Sequence, residues 1–246
     1  MPARLEVESW RGRLWLDRPE ARNALSLDLL TDLHARLDEV DPSVRVLVLA
    51  GEGPAFCAGM DLKQVIDDDE APARLLNSLA DFCVRLRSLA CVVVARVNGA
   101  AIGGGCGLTC ACDFSVTHAD AKLGFPEVDL GLCPAVVAPW VVRRIGAGMA
   151  RRVLLSGGLM SGTEAGRIGL ASHVAETAEG LDGAVDALVE RIGAGGAEAL
   201  GATKSLLNRL DGSLDEDLAR ESASISARVL GLEESKRMLR ARFGGS

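Results

Sequence analysis

The run Cys91-Val-Val-Val-Ala-Arg-Val97 passes directly into Asn98-Gly-Ala-Ala-Ile-Gly-Gly-Gly-Cys-Gly107, and this junction restricts the fold more than any other segment. The first part is apolar and β-branched, which reads as a buried strand. The glycines that follow open a helix, so the segment is a strand-to-helix turn. Backbone N–H groups at such a turn are unobstructed by side chains, and a helix N-terminus favours negative charge there. Two nucleotide-binding turns share this look, and spacing excludes both. The pattern G-x-G-x-x-G begun at Gly103 ends on Leu108, at Gly51 on Phe56, and at Gly146 on Arg151; no Gly-Lys-Ser/Thr occurs. What remains is a hole for an oxyanion, or a helix packed so closely on a strand that only glycine fits.

The surrounding chain alternates strands with helices, the pattern of an α/β core. Arg13-Leu-Trp-Leu-Asp17 alternates like a half-buried strand, and Leu30, Leu33, Leu37 and Val40 recur at helical spacing after a Ser26 cap. Val44 to Ala50 reads as a second buried strand, and Leu75, Leu79, Phe82 and Leu86 mark the apolar face of another helix. The acidic stretch from Asp67 to Pro72 reads as a loop. From residue 135 onward the pattern is mainly helical, with Leu181, Val185, Leu188 and Ile192 on one face and Leu206, Leu207 and Leu210 in a further helix. No internal repeat is readable.

Electrostatics narrows the partners. A net charge of −7 argues against a nucleic-acid surface, which needs clustered Lys and Arg. No apolar run long enough to span a membrane occurs, and the N-terminus lacks a signal core, so a cytoplasmic protein is expected. The seven cysteines are an odd, scattered set that fits buried thiols rather than disulfides. Cys106, Cys110 and Cys112 have neither paired C-x-x-C spacing nor a nearby His, so no metal is expected there.

Several ordered motifs together resemble the enoyl-CoA hydratase/isomerase, or crotonase, family. They are Arg18-Pro-Glu-Ala-Arg-Asn-Ala-Leu25, Phe56-Cys-Ala-Gly-Met-Asp-Leu62, the 98–106 glycine segment with Cys112-Asp113, Gly124-Phe-Pro-Glu-Val-Asp-Leu-Gly131, and Thr203-Lys-Ser-Leu-Leu-Asn208. The resemblance implies a spiral of ββα units over residues 1–190, with a helical region over 191–246 that supports trimers or dimers of trimers. It implies that the N–H groups of Ala58 and Gly104 hold a thioester enolate. It also implies an acyl-CoA site lined by Arg22, Ala24, Leu25, Cys57, Ala58, Gly59, Met60, Asp61, Leu62, Gly103 and Gly104, with no cofactor beyond the coenzyme A of the substrate. The C-terminus, Phe243-Gly-Gly-Ser246, looks shorter than is usual, which questions any coenzyme A contact from that end.

Two carboxylates commonly share acid/base work in this family, and here the earlier position is Gly107 while the later is Glu127. A glutamate among apolar neighbours is expected to hold its proton more tightly, which suits proton exchange. Hydration of a trans-2-enoyl-CoA is the favoured reaction, because Leu130 to Pro139 and Val142 to Gly146 resemble methylglutaconyl-CoA-type hydratases that also carry glycine at the earlier place. Double-bond isomerisation, decarboxylation of a glutaconyl-type thioester, or acyl-CoA binding without turnover are the alternatives. Asp129 reads as a structural anchor, Asp61 and Asp113 as turn and cap residues, and Arg143, Arg144, Arg151 and Arg152 as a solvated or intersubunit face. His34, His118 and His173 lack any nucleophile motif nearby.

Overall fold

The computed structural model describes residues 1–61 and 70–243. Two sheets and a set of packed helices are built by a unit that recurs without recurring in sequence. The larger sheet contains β1 (Ala3–Glu8), β2 (Arg11–Leu16), β3 (Val46–Gly51), β5 (Val92–Val97), β7 (Phe114–His118) and β10 (His173–Ala175), in the order β1-β2-β3-β5-β7-β10. The β1–β2 hairpin is antiparallel and every later pairing in this sheet is parallel. The smaller sheet has the order β4 (Ala55–Cys57), β6 (Ala100–Ile102), β8 (Lys122–Gly124) and β9 (Leu159–Ser161), with β4, β6 and β8 parallel.

Each turn of the chain therefore lays one strand in the larger sheet, one in the smaller, and then a helix: β3-β4-α2 (Ala71–Ser88), β5-β6-α3 (Gly104–Ala111), and β7-β8-α4 (Ala138–Ser156). This is the expected ββα spiral. Parallel pairing requires such crossovers, and both faces of β3 and most of β5 are buried, as a near-continuous apolar run demands. The repeat is invisible in sequence because the strands of the smaller sheet are three residues long, too short to carry a period.

Local signals hold well. α1 (Leu27–Asp38) starts at Ser26, whose side chain accepts the Leu29 N–H at 3.2 Å, and its Leu29, Leu30, Leu33 and Leu37 are buried. In α2, Leu75, Leu79, Phe82 and Leu86 are buried. The expected loop at 67–72 needs correction: Ala71 and Pro72 already belong to α2, with Pro tolerated in a first turn because no N–H is needed there, while 67–69 lie outside the described residues. The mainly helical reading from 135 onward also gains two strands, β9 and β10, one on each sheet.

α5 (Gly162–Arg167) leads to β10, and α6 (Leu181–Gly193) runs through residue 190, packing Leu181, Val185, Leu188 and Val189 on Val46, Val48, Val94 and Val116 of the larger sheet. The helices beyond it are α7 (Ala197–Leu210), α8 (Glu216–Leu230) and α9 (Glu233–Phe243). α8 lies along α2, and α9 packs on the 3₁₀ turn Val128–Leu130. Buried Lys204 on α7 joins this region to the spiral, donating to the Cys91 carbonyl and pairing with Asp113, both at 2.8 Å.

Candidate active site

Ligands in parallel sheets gather outside the carboxyl ends of the strands, because there the chain turns and exposes backbone groups. In the smaller sheet this end is shared by three strands. A cavity of about 900 Å³ opens there. It is lined by Met60, which follows β4, by Gly103 and Gly104, which follow β6, and by Pro126 and Glu127, which follow β8.

The three glycines of the turn are used differently. A Cβ on Gly105 would stand 2.5 Å from the Cys57 carbonyl oxygen, so this glycine exists for close packing of α3 on β4. Gly103, at φ 54°, adopts a backbone that side chains disfavour, and its N–H is used by the Gly124 carbonyl at 2.8 Å. Gly104 is the first residue of α3 and faces the cavity between Leu25 and Leu79. Its N–H has no acceptor among the described residues.

The second expected oxyanion donor needs correction. The Ala58 N–H donates to the Arg22 carbonyl at 3.0 Å and is thereby spent. Leu25 next bridges to Met60: its N–H donates to Gly59, at 2.7 Å, and its carbonyl accepts from Asp61, at 2.9 Å. That register skips Met60, whose N–H has no acceptor among the described residues. Gly59 allows the turn, at φ 92° and with space for a Cβ closed by the Ile102 carbonyl 2.8 Å away. Among the described residues, Met60 and Gly104 thus each bring an unspent N–H to the cavity.

The 18–25 loop that lines the mouth is fixed by Asn23, a residue that sequence reasoning missed. Arg22 and Asn23 both have positive φ, near 51° and 56°. Asn23 is fully buried, accepts the Arg18 N–H at 2.8 Å and donates to the Glu52 and Ala55 carbonyls at 2.9 and 2.8 Å. A short amide is one of the few side chains that tolerate this conformation while bonding nearby backbone. Of the remaining expected residues, Arg22, Ala24, Gly59 and Asp61 line the cavity, and Leu25 meets it through Gly104. Cys57 is fully buried beneath it, its thiol pushed up to about 12 by burial. Leu62 lies outside the described residues.

Glu127 follows buried Phe125, and desolvation pushes its carboxyl up from 4.5 to about 7. Its Oε2 is buried without a hydrogen-bond partner among the described residues, and its Oε1 would lie 2.8 Å from a Cβ on Gly103. A carboxyl so placed is kept ready to give or take a proton beside the glycine turn. Asp129 is an anchor, as expected: Oδ2 accepts the Gly158 N–H at 2.8 Å.

Several charged residues have other tasks than the sequence suggested. Asp61 pairs with Arg18 at 3.4 Å, and Asp113 accepts the Val93 N–H at 2.7 Å while pairing with Lys204 and Arg87, so both are ion-pair partners rather than turn or cap residues. Arg144 donates to the carbonyls of Thr109, Cys110, Cys112 and Asp113, capping the C-terminal end of α3, and Arg143 donates to the Asp211 and Gly212 carbonyls. Arg151 and Arg152 are exposed. Cys106, Cys110 and Cys112 are buried core residues.

Comparison with known proteins decides the family. A family model for enoyl-CoA hydratase/isomerase matches residues 12–229. This chain belongs to the enoyl-CoA hydratase/isomerase family. A putative enoyl-CoA hydratase of Thermus thermophilus is 37% identical over 94% of this chain and 93% of its own length. Crotonyl-CoA hydratase of Syntrophomonas wolfei is 34% identical over 93% of this chain and 88% of its own. The crystal structure of a putative enoyl-CoA hydratase from Mycobacterium avium paratuberculosis superposes with a TM-score of 0.89, at 30% identity, covering 98% of this chain and 96% of that one. The ββα spiral is thus the crotonase-like fold of this family.

At Gly107, where the resemblance leads one to expect a carboxylate, the structure packs hydrocarbon. A Cβ there would stand 2.2 Å from Val137 Cγ1. Val137, 3% exposed, lines the cavity together with Leu132, Pro134, Val136 and Leu230. These wall residues come from the stretch before α4, directly after the 124–131 motif, and from α8. Arg242 on α9 also lines the cavity.

Proposed function

We propose that this chain hydrates a trans-2-enoyl-CoA thioester, with Glu127 as its one acid/base group and the N–H groups of Met60 and Gly104 as oxyanion donors. One observation carries the reading. Glu127, raised to about 7 with Oε2 unpartnered, lines the same cavity as the two free N–H groups, and no second carboxylate stands at Gly107.

The chemistry follows from those groups. Ionised Glu127 takes a proton from water as the water oxygen bonds to the β-carbon. The alkene pair shifts toward the thioester, and negative charge collects on its oxygen, where the Met60 and Gly104 N–H groups receive it. Protonated Glu127 then returns that proton to the α-carbon. The hydroxyl and the proton of the water arrive from one side, so the product is the syn adduct. Because only water and a proton move, no cofactor takes part; coenzyme A enters with the substrate, along Arg22, Ala24, Leu25 and the 57–61 segment.

Exposed Leu206, Leu207 and Leu210 on α7 support assembly into a homotrimer or a dimer of trimers, with the subunit-pairing helical region starting after α6. Seven free thiols support a reducing, cytoplasmic setting.

The test follows the conjugated enoyl absorbance of crotonyl-CoA. Loss of absorbance that requires Glu127 supports hydration. A single carboxylate also favours the isomerase reading, since moving one proton between two carbons needs only one base. Conversion of a 3-enoyl-CoA without loss of crotonyl-CoA would select that reading and reject hydration.

A further inference from the structure

Residue 107 stands one helical turn beyond Gly103, whose carbonyl accepts the Gly107 N–H at 2.9 Å, so it belongs to the face of α3 that borders the cavity. A side chain there would project into space that Val137 already holds, with Cγ1 at 2.2 Å and Cβ at 2.8 Å from the added atom. Val137 does not reach that place on a loose loop. Ser226 of α8 donates to the Cys133 carbonyl at 2.8 Å and accepts the Ala135 N–H at 3.1 Å, bracketing the segment from both sides. Pro139 in the first turn of α4 restricts the backbone just beyond, and Val136 is 4% exposed. The wall is therefore rigid, apolar, and set by a pair of residues that exclude each other.

We infer that Val137 determines which acyl groups this site accepts. It closes the volume that Gly107 leaves open, so the end of the cavity beyond Glu127 fits a hydrocarbon chain of limited width. The inference rests on the acyl thioester reading of the cavity. A substrate carrying an extra branch or methylene at this wall meets the isopropyl group, and a hydrophobic pocket discriminates one such group by roughly 10–200-fold.

The experiment measures dissociation constants of saturated butyryl-, 3-methylbutyryl- and hexanoyl-CoA by calorimetry for the wild type, Val137→Ala and Val137→Leu. Turnover of the matching enoyl esters is followed in parallel. Val137→Ala should raise the preference for the larger esters over butyryl-CoA about ten-fold, and Val137→Leu should move it the other way. A uniform change for all three esters, or none, overturns the inference, as does failure of the wild type to bind any of them. Shifted binding preference without turnover upholds Val137 and rejects the hydration reading. A melting series covers the case of a variant that folds poorly. Gly107→Ala should melt low because of the 2.2 Å overlap, and Gly107→Ala with Val137→Ala should recover in part, since the Cβ at residue 137 still stands 2.8 Å away; no recovery at all would also overturn the inference.

Discussion

Replacing Glu127 by Gln keeps the shape of the side chain and removes its titration. Burial lifts the carboxyl from 4.5 to about 7. The sign follows from which state binds the proton. Below pH 4.5 the carboxyl is protonated whether the chain is folded or not, and folding is indifferent to it. Between 4.5 and 7 the unfolded chain releases the proton while the folded chain keeps it, so wild-type stability falls with rising pH relative to the Gln variant. Above about 7 the loss levels off. At about 1.4 kcal/mol per unit of pKa difference, the full gap is about 3 kcal/mol. For a chain of this length that is roughly 6–12 °C of melting temperature. Denaturant titrations of both proteins at pH 4.5, 6, 7 and 8 read the gap, and Glu127→Gln should become the more stable protein as pH rises. The same variant should lose about 10²–10⁴ in kcat. In the wild type, hydration should fall as pH drops through about 7, where the base form disappears. A stability gap that is constant across pH would refute the buried, unpaired carboxyl on which the mechanism depends.

Exchanging the Met60 N–H for an ester oxygen by semisynthesis should lower kcat by about 10²–10³, whereas the same exchange at Ala58 should cost about 1 kcal/mol of stability and little rate; equal rate effects would restore Ala58 as a donor. Asp129→Asn should weaken the anchor at Gly158 by about 1–3 kcal/mol in a denaturant titration and leave the pH–rate profile unchanged, and a profile that moves would make Asp129 a second acid/base group. Lys204→Met leaves Asp113 with Arg87 and the Val93 N–H, and should destabilise by about 2–4 kcal/mol; a loss below about 0.5 kcal/mol would mean that solvent replaces the ammonium.

What the sequence made legible was local. The glycine triple, the Ser26 cap, the apolar face of α2 and the apolar surroundings of Glu127 are each encoded within a few residues, and each stands where its pattern placed it. The donor before β6 was misread because free and spent N–H groups in 58–61 are sorted by pairing with 22–25, a contact that no local pattern records. Asn23 hid for a related reason: its side chain is defined by carbonyls at 52 and 55. Gly107 reads as empty space in sequence and as a filled contact in the fold, since its neighbour Val137 arrives from another turn of the spiral. Paired glycine and valine at those two places would have been the signal, had the contact been known.

The spiral deals one chemical group from each successive turn to a common opening: Met60 past β4, Gly104 past β6, Glu127 past β8. Strand pairing sets their spacing, and none of the three depends on the length of the chain that links it to the next. Such an architecture behaves like a combination lock whose wheels turn separately. One level can exchange its residue, as the fit of Val137 against Gly107 on the wall illustrates, while the others keep their settings. New reactions on an inherited enolate site can then arise by altering a single level, without any redesign of the frame.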